Sequence, residues 1–181
     1  MRPCVTLRRM SRHSKDTRSH PIGVRPRGTQ VIDSDGPDAY RERAHWPQPT
    51  VCPDCRATYL GGRWQWQTAP DGAALHRCPA CRRTHDHLPA GEVHLEGDYF
   101  VAHRQEVMAL IRARADRARS EHPLQRIMAT RETPQGVIIE TTDIHLAHGL
   151  GQAVHHAHAG ELSAAHLKGQ QLLRVHWVRH H

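Results

Sequence analysis

Apolar and polar positions between residues 97 and 179 follow the periods of a small layered domain. Gly97-Asp98 starts a helix, with Asp98 as its N-cap. Phe100, Val107, Leu110, Ile111 and Ala118 recur at helical spacing and His103 completes the stripe. Arg112, Arg114, Asp116, Arg117 and Arg119 occupy the other face, and Pro123 stops the helix. Leu124 to Glu132 is strand-like. Thr133-Pro134-Gln135-Gly136 has Pro and Gly where a type I turn favours them, and the β-branched run Val137 to Thr142 returns antiparallel. Thr142 caps a second helix with Asp143 in its first turn. Its stripe is Ile144, Ala147, Leu150, Val154 and Ala157, with Gly160 at the C-terminal cap. A last strand, Gln171 to Val178, sets Leu173, Val175 and Trp177 against Arg174 and His176. The order predicts an α+β class domain of αββαβ form over residues 97–179.

Upstream the pattern changes twice. Residues 1–45 show no apolar period and are rich in Arg, Ser, Asp, Gly and Pro. They read as a disordered, basic, Arg-rich tail, because such a segment buries too little apolar area to offset its chain entropy. Cys4 is a bystander there. Residues 46–92 hold two cysteine pairs. Trp46-Pro47-Gln48-Pro49 is an extended lead-in. Thr58 to Gln67 alternates aromatics around a Gly61-Gly62 turn.

The 181 residues include no apolar run near the ~18 that a membrane span requires. No apolar segment follows the basic Met1-Arg2-Pro3-Cys4, so a secretory signal is not expected and the cytoplasm is the expected compartment. The net charge is +7, and of 25 cations only Lys15 and Lys168 are lysine. Arginine's planar fork suits phosphate and stacks on bases, although codon bias explains the same excess. The charge is uneven, with ten cations against five acids in residues 1–45 and balance over residues 46–96. The 18 histidines add positive charge on mild acidification, which would strengthen binding to a polyanion.

Cys52-Pro53-Asp54-Cys55 and Cys78-Pro79-Ala80-Cys81 carry the most specific chemistry. Two thiolates three residues apart on a tight turn grip one ion from the same side, and a second such turn completes a tetrahedron. The spacing predicts a four-cysteine zinc ribbon, its metal structural because four thiolates leave no open position. Iron in a rubredoxin-like site and disulfides are the alternatives. Against iron, Arg56 and Arg82 stand where such knuckles usually carry Gly. A segment of this size has too small a core to fold alone, and metal binding supplies its folding energy.

Arg56, Arg63, Arg77, Arg82 and Arg83 surround the ribbon with Tyr59, Trp64 and Trp66. Basic groups interleaved with aromatics hold phosphates and stack bases, so Arg56, Arg63, Trp64, Trp66, Arg77, Arg82 and Arg83 are candidate nucleic-acid-binding residues. The competing reading packs the aromatics into the ribbon core with the arginines as its solvated rim. Asp86-His87-Leu88-Pro89 is similar to a segment of HNH nucleases, but the chain contains no Asn and the motif follows the second cysteine pair. His145, His148 and His155 lie on one helix and are candidates for a second metal, or form a solvated face. No P-loop or dinucleotide fingerprint is present, so no nucleotide cofactor is expected.

Thr50-Val51-Cys52-Pro53, Gly62-Arg63-Trp64-Gln65-Trp66, Cys78-Pro79-Ala80-Cys81, Arg126-Ile127-Met128-Ala129 and Thr141 to Ala147 together resemble a family of uncharacterised bacterial zinc-ribbon proteins, to which no activity is assigned. More distantly, the ribbon followed by an α/β module is similar to the large-ribosomal-subunit export adaptors of eukaryotes and archaea. That resemblance implies binding to ribosomal subunits. The chain therefore reads as a non-enzymatic zinc-ribbon protein that binds RNA or a ribonucleoprotein. The alternatives are a protein-interaction adaptor with a purely structural zinc site, and a metal-handling protein or HNH-like nuclease.

Overall fold

The structure, a computed structural model, describes Tyr40, residues 46–166 and residues 171–181. All of these belong to one compact unit, Ser34–His181. Apart from Tyr40, the tail expected over residues 1–45 lies outside the described residues, as does Cys4.

The cysteine-bearing region builds a four-stranded sheet from β1 (Thr50–Val51), β2 (Thr58–Leu60), β3 (Arg63–Gln65) and β4 (Ala74–Leu75), in the order β3-β2-β1-β4. Leu60 pairs with Arg63, so Gly61-Gly62 is a two-residue hairpin loop. Both glycines have positive φ, +61° and +78°, the backbone that such a loop needs and that the Gly-Gly pair predicts. Helix α1 (Pro79–Asp86) closes the region. Its core is Cys52, Ala57, Trp64, Cys78, Ala80 and Cys81, edged by Trp46, Tyr59 and Leu124. The fully packed members are small residues, cysteines and one Trp.

The second half contains β5 (Gly91–Glu96), α2 (Asp98–Ala102), α3 (Arg104–Glu121), β6 (Ile127–Thr133), β7 (Gly136–Thr141), α4 (Ile144–His158), β8 (Glu161–His166) and β9 (Leu173–Val178). The sheet order is β6-β7-β5-β9-β8, with β5 parallel to β9 and the other neighbours antiparallel. This is a split βαβ arrangement with β8 added at one edge. Val93, Leu95, Val137, Ile139, Leu173, Val175 and Trp177 line the covered face. Phe100, Val107, Ile111, Leu146, Leu150 and Val154 are the buried helix residues that complete this core.

The α+β class stands, but αββαβ omits two strands. β5 lies between the two predicted modules, and only Val93 and Leu95 carry its apolar face, too short a signal beside the cysteine pairs. β8 offers only Leu162 and two alanines. The predicted first helix is interrupted at His103, which is exposed instead of completing the buried stripe; its ring stacks on Tyr99 at 4.1 Å. Gly97, not Asp98, is the cap of α2. Its φ is +100°, and a Cβ there would stand 2.2 Å from the Arg179 carbonyl oxygen. Asp143, not Thr142, caps α4 by accepting the Leu146 N–H at 3.0 Å. The Thr142 hydroxyl is already engaged with Leu124 and Arg126. No helix of the described residues is long and apolar enough to cross a membrane.

The sheet face away from the helices carries a charge lattice. Glu92, 9% exposed, accepts from His94 Nε2 at 3.1 Å and from Arg174 Nε and Nη2 at 3.1 and 3.0 Å. Burial raises the Glu92 pKa, but the His94 and Arg174 hydrogen bonds outweigh it and hold the carboxyl below its ordinary value. The folded pKa is therefore depressed. The stability this gives is present above the unfolded value of about 4.3 and is lost as pH falls through the folded one. Glu92→Gln is expected to be less stable than wild type at pH 7, with the gap closing as pH drops below the carboxylate range. Urea unfolding of both chains from pH 7 to 3 measures the gap, and a constant difference would refute the assignment.

Candidate metal centre

Two local structures deliver the four sulfurs. After β1 the chain turns tightly. The Cys52 N–H donates to Ala57 O at 2.8 Å and the Arg56 N–H donates to Cys52 O at 2.9 Å. Arg56 closes this turn at φ +66°, a left-handed conformation that costs a non-glycine residue roughly 1 kcal/mol. The second pair opens a helix instead of a matching knuckle. Cys78 is the N-cap of α1, its sulfur accepting the Cys81 N–H at 3.5 Å, and Pro79 takes the first helical position. The positive end of α1 thus faces the sulfurs, where it favours thiolate. Arg82 is helical here, so no glycine is needed at that place.

All four sulfurs lie within 4.8 Å of one another, and Cys55 and Cys78 are 3.8 Å apart. A tetrahedron with metal–sulfur bonds near ~2.3 Å has edges of about 3.8 Å. The cluster therefore fits a four-coordinate ion. Cys52, Cys78 and Cys81 are buried and Cys55 is half-buried. Left to themselves the thiols share protons unequally. Hydrogen bonds with Cys78 and then Cys81 hold Cys55 well below its ordinary pKa, and the contact with Cys55 pushes Cys78 up, and Cys81 up to about 11.

A further participant comes from outside the cysteine-bearing region. Arg126, at the entry to β6, donates from Nη1 to Cys81 Sγ at 3.3 Å and from Nη2 to Cys55 Sγ at 3.1 Å and Cys78 Sγ at 3.6 Å. Burial works against its charge, yet the Cys81 hydrogen bond and the Cys55 and Cys78 charges outweigh burial and hold its pKa above the ordinary value. Its sequence position marks it only as one polar residue of a strand. No sequence signal within the ribbon points to it.

The candidate nucleic-acid residues separate into two groups. Trp64 is 8% exposed and packs against Trp46 and Tyr59 with ring centroids 5.4 and 5.5 Å away, so its faces belong to the ribbon core. Arg83 is buried, bonds Leu88 O through Nη1 at 3.0 Å and lies against the Tyr40 ring. Arg82 also faces Tyr40, and Arg77 Nε is bonded to Asp54 at 2.6 Å. Trp64 and Arg83 are thus buried, where the sequence places them at a binding surface. Arg56 and Arg63 are exposed. Arg56 and the 38% exposed Trp66 line one groove with Val51, Gln67, Thr68 and Ala69. The Trp66 indole N–H donates to Arg119 O at 2.5 Å, and the Arg119 and Arg126 guanidinium carbons lie 6.0 and 5.7 Å from its ring centre.

Among the described residues, the cysteines are the group of His, Cys, Asp or Glu side chains whose ligand atoms converge. His145, His148 and His155 do not join into such a group. His148 has a lowered pKa, first from burial and then from the charge of His145. His87 of the nuclease-like segment ends α1 at φ +54°, and Asp86 is held by His85 and by the Tyr40 hydroxyl at 3.0 and 2.7 Å. No family model, curated protein or solved structure matches this chain, so the centre is read from its own geometry.

Proposed function

We propose that this chain is a non-enzymatic protein whose four cysteines hold a structural zinc ion and whose ribbon surface binds RNA, free or within a ribonucleoprotein. Four sulfur donors suit zinc, and Cys52, Cys55, Cys78 and Cys81 would hold it. The ion supplies folding energy to a region poor in large aliphatic residues and offers no open position for chemistry.

The observation that carries the RNA reading is Trp66. It keeps a 38% exposed ring beside Arg56 in one groove, with the Arg119 guanidinium over the ring and the exposed Arg112, Arg114 and Arg117 on the same helix, α3. An aromatic platform among cations is the arrangement that stacks a base and holds its phosphate. Structured RNA titrated at two salt concentrations tests it. Binding should weaken steeply with salt, and Arg56→Ala with Trp66→Ala should cost roughly tenfold or more, since stacking contributes about 1–3 kcal/mol per base. Absence of binding at low salt, or a double variant that retains its metal and binds like wild type, removes the reading.

A protein-interaction adaptor is the second reading, favoured by the other sheet face. That face carries Glu92, Glu96 and Glu140 paired with Arg174, His176 and Arg131, and no Phe, Tyr or Trp among its residues on β5, β7 and β9. Such a lattice of paired charges offers phosphate few free cations and gives a base no Trp, Tyr or Phe platform. A pull-down that survives nuclease treatment favours this reading.

A further inference from the structure

We propose that Arg126 is an outer member of the metal site, a positioning residue that caps one face of the four-sulfur cluster and ties metal occupancy to the docking of residues 46–86 on the α/β sheet. The proposal rests on the reading that the cysteines hold a metal ion.

Four thiolates around a divalent cation leave a net charge of minus two, and such charge is costly in a half-buried site unless donors face it. Every sulfur here has an N–H directed at it. Cys52 accepts from the Cys78 backbone at 3.4 Å, and Cys78 accepts from the Cys81 backbone at 3.5 Å. Arg126 supplies Cys55 and Cys81 and adds a longer contact to Cys78. The three sulfurs that Arg126 touches define one triangular face of the tetrahedron, and Cys52 is the vertex behind it. This donor pattern matches four anionic sulfurs surrounding an ion. Of the neighbouring cations, Arg77 is held by Asp54 and Arg83 by Leu88 O.

The side chain is also held by partners other than the sulfurs. Its Nε donates to Pro123 O at 2.6 Å. With the three sulfur contacts, four of its five N–H groups have acceptors. Its backbone is fixed on both sides by Thr142, which accepts the Arg126 N–H at 2.9 Å and donates its own N–H to Arg126 O at 2.9 Å. The guanidinium reaches cysteines 45 to 71 positions earlier in the chain, so it joins the two sheets. Trp66, bonded to Arg119 O, is the neighbouring tie at the same seam. Metal loss would release the four sulfurs from one centre, and with them the acceptors that hold Arg126 at that seam.

The test uses the full chain, loaded with zinc or with cobalt as a spectroscopic stand-in. Arg126→Ala should lower zinc affinity about 10–100-fold in chelator competition, the usual effect of losing an outer partner. Hydrogen bonds stabilise the sulfur lone pairs, so their removal should move the sulfur-to-cobalt charge-transfer band to longer wavelength. Arg126→Lys, a charge without the fork, should recover part of the affinity. Unchanged affinity in a folded Arg126→Ala chain overturns the proposal. So does reduced affinity with an unmoved band, which marks a merely structural role. If Arg126→Ala does not fold, the wild-type chain decides. Stripping its metal under reducing conditions should speed amide exchange at residues 124–127 and leave β5 and β9 protected, and no change at 124–127 overturns the proposal. A wild-type chain that binds no metal overturns the metal reading as well, so the two failures are told apart.

Discussion

Cys52→Ser is expected to empty the chain of metal and unfold residues 46–86 while the five-stranded sheet survives. Cys52 is fully buried, and its sulfur is the vertex held by the Cys78 N–H. Serine offers a harder, shorter ligand and leaves three sulfurs to hold an ion built for four. The packed cluster of Cys52, Ala57, Trp64, Cys78, Ala80 and Cys81 includes no Val, Leu or Ile, and Val51 is the one buried aliphatic of that kind in residues 46–86. Hydrophobic burial alone cannot replace the roughly 10–16 kcal/mol of apparent stabilisation that a structural zinc supplies. The α/β half has its own core of Val93, Leu95, Ile139, Leu150, Val175 and Trp177. Elemental analysis should fall from one metal per chain to none. Limited proteolysis should open sites within 46–86, with helical circular dichroism largely kept. A variant that keeps one metal and resists cleavage would show that the ribbon folds for some other reason.

The second large effect lies at Trp177. It is the largest of the fully buried side chains, and its indole N–H donates to Ala159 O at 2.6 Å. It stands on β9 opposite Leu95 of β5, where the sheet meets the helices. Trp177→Ala would leave a cavity and an unpaired carbonyl at once. The expected destabilisation is about 3–5 kcal/mol. Urea unfolding followed by circular dichroism measures it, and a loss below about 1 kcal/mol would mean that the site collapses around the smaller residue. The metal content of the folded fraction should not change, the reverse of the cysteine variant.

Local signals explain which parts of this architecture could be read from residues alone. The paired cysteines, the Gly61-Gly62 hairpin, the two-residue turn at Pro134-Gln135 and the Leu173-Val175-Trp177 alternation each encode a local geometry, and all of these recur in the structure. Trp64 and Trp66 sit two apart, the spacing of one strand face. Yet β3 ends at Gln65, so only Trp64 keeps the inward direction and Trp66 leaves the sheet. Arg83 carries a charge, which argues for the surface, but the loop after α1 needs its donor at Leu88 O. Arg126 belongs to a short run already singled out, Arg126-Ile127-Met128-Ala129, without any reason for its first residue. Its partners are far away in the chain, and periodicity reports nothing about partners at such distances.

The place of β5 has a consequence for how this chain can be cut or recombined. The strand emerges directly from the cysteine-bearing half, yet it occupies the middle rung of the other half's sheet, hydrogen-bonded to β7 on one side and β9 on the other. A fragment beginning at Gly97 would hold two detached hairpins with nothing between them. The two halves are therefore not interchangeable beads on a string. An exchange of the cysteine-bearing half that carried β5 away with it would also remove the keystone of its neighbour.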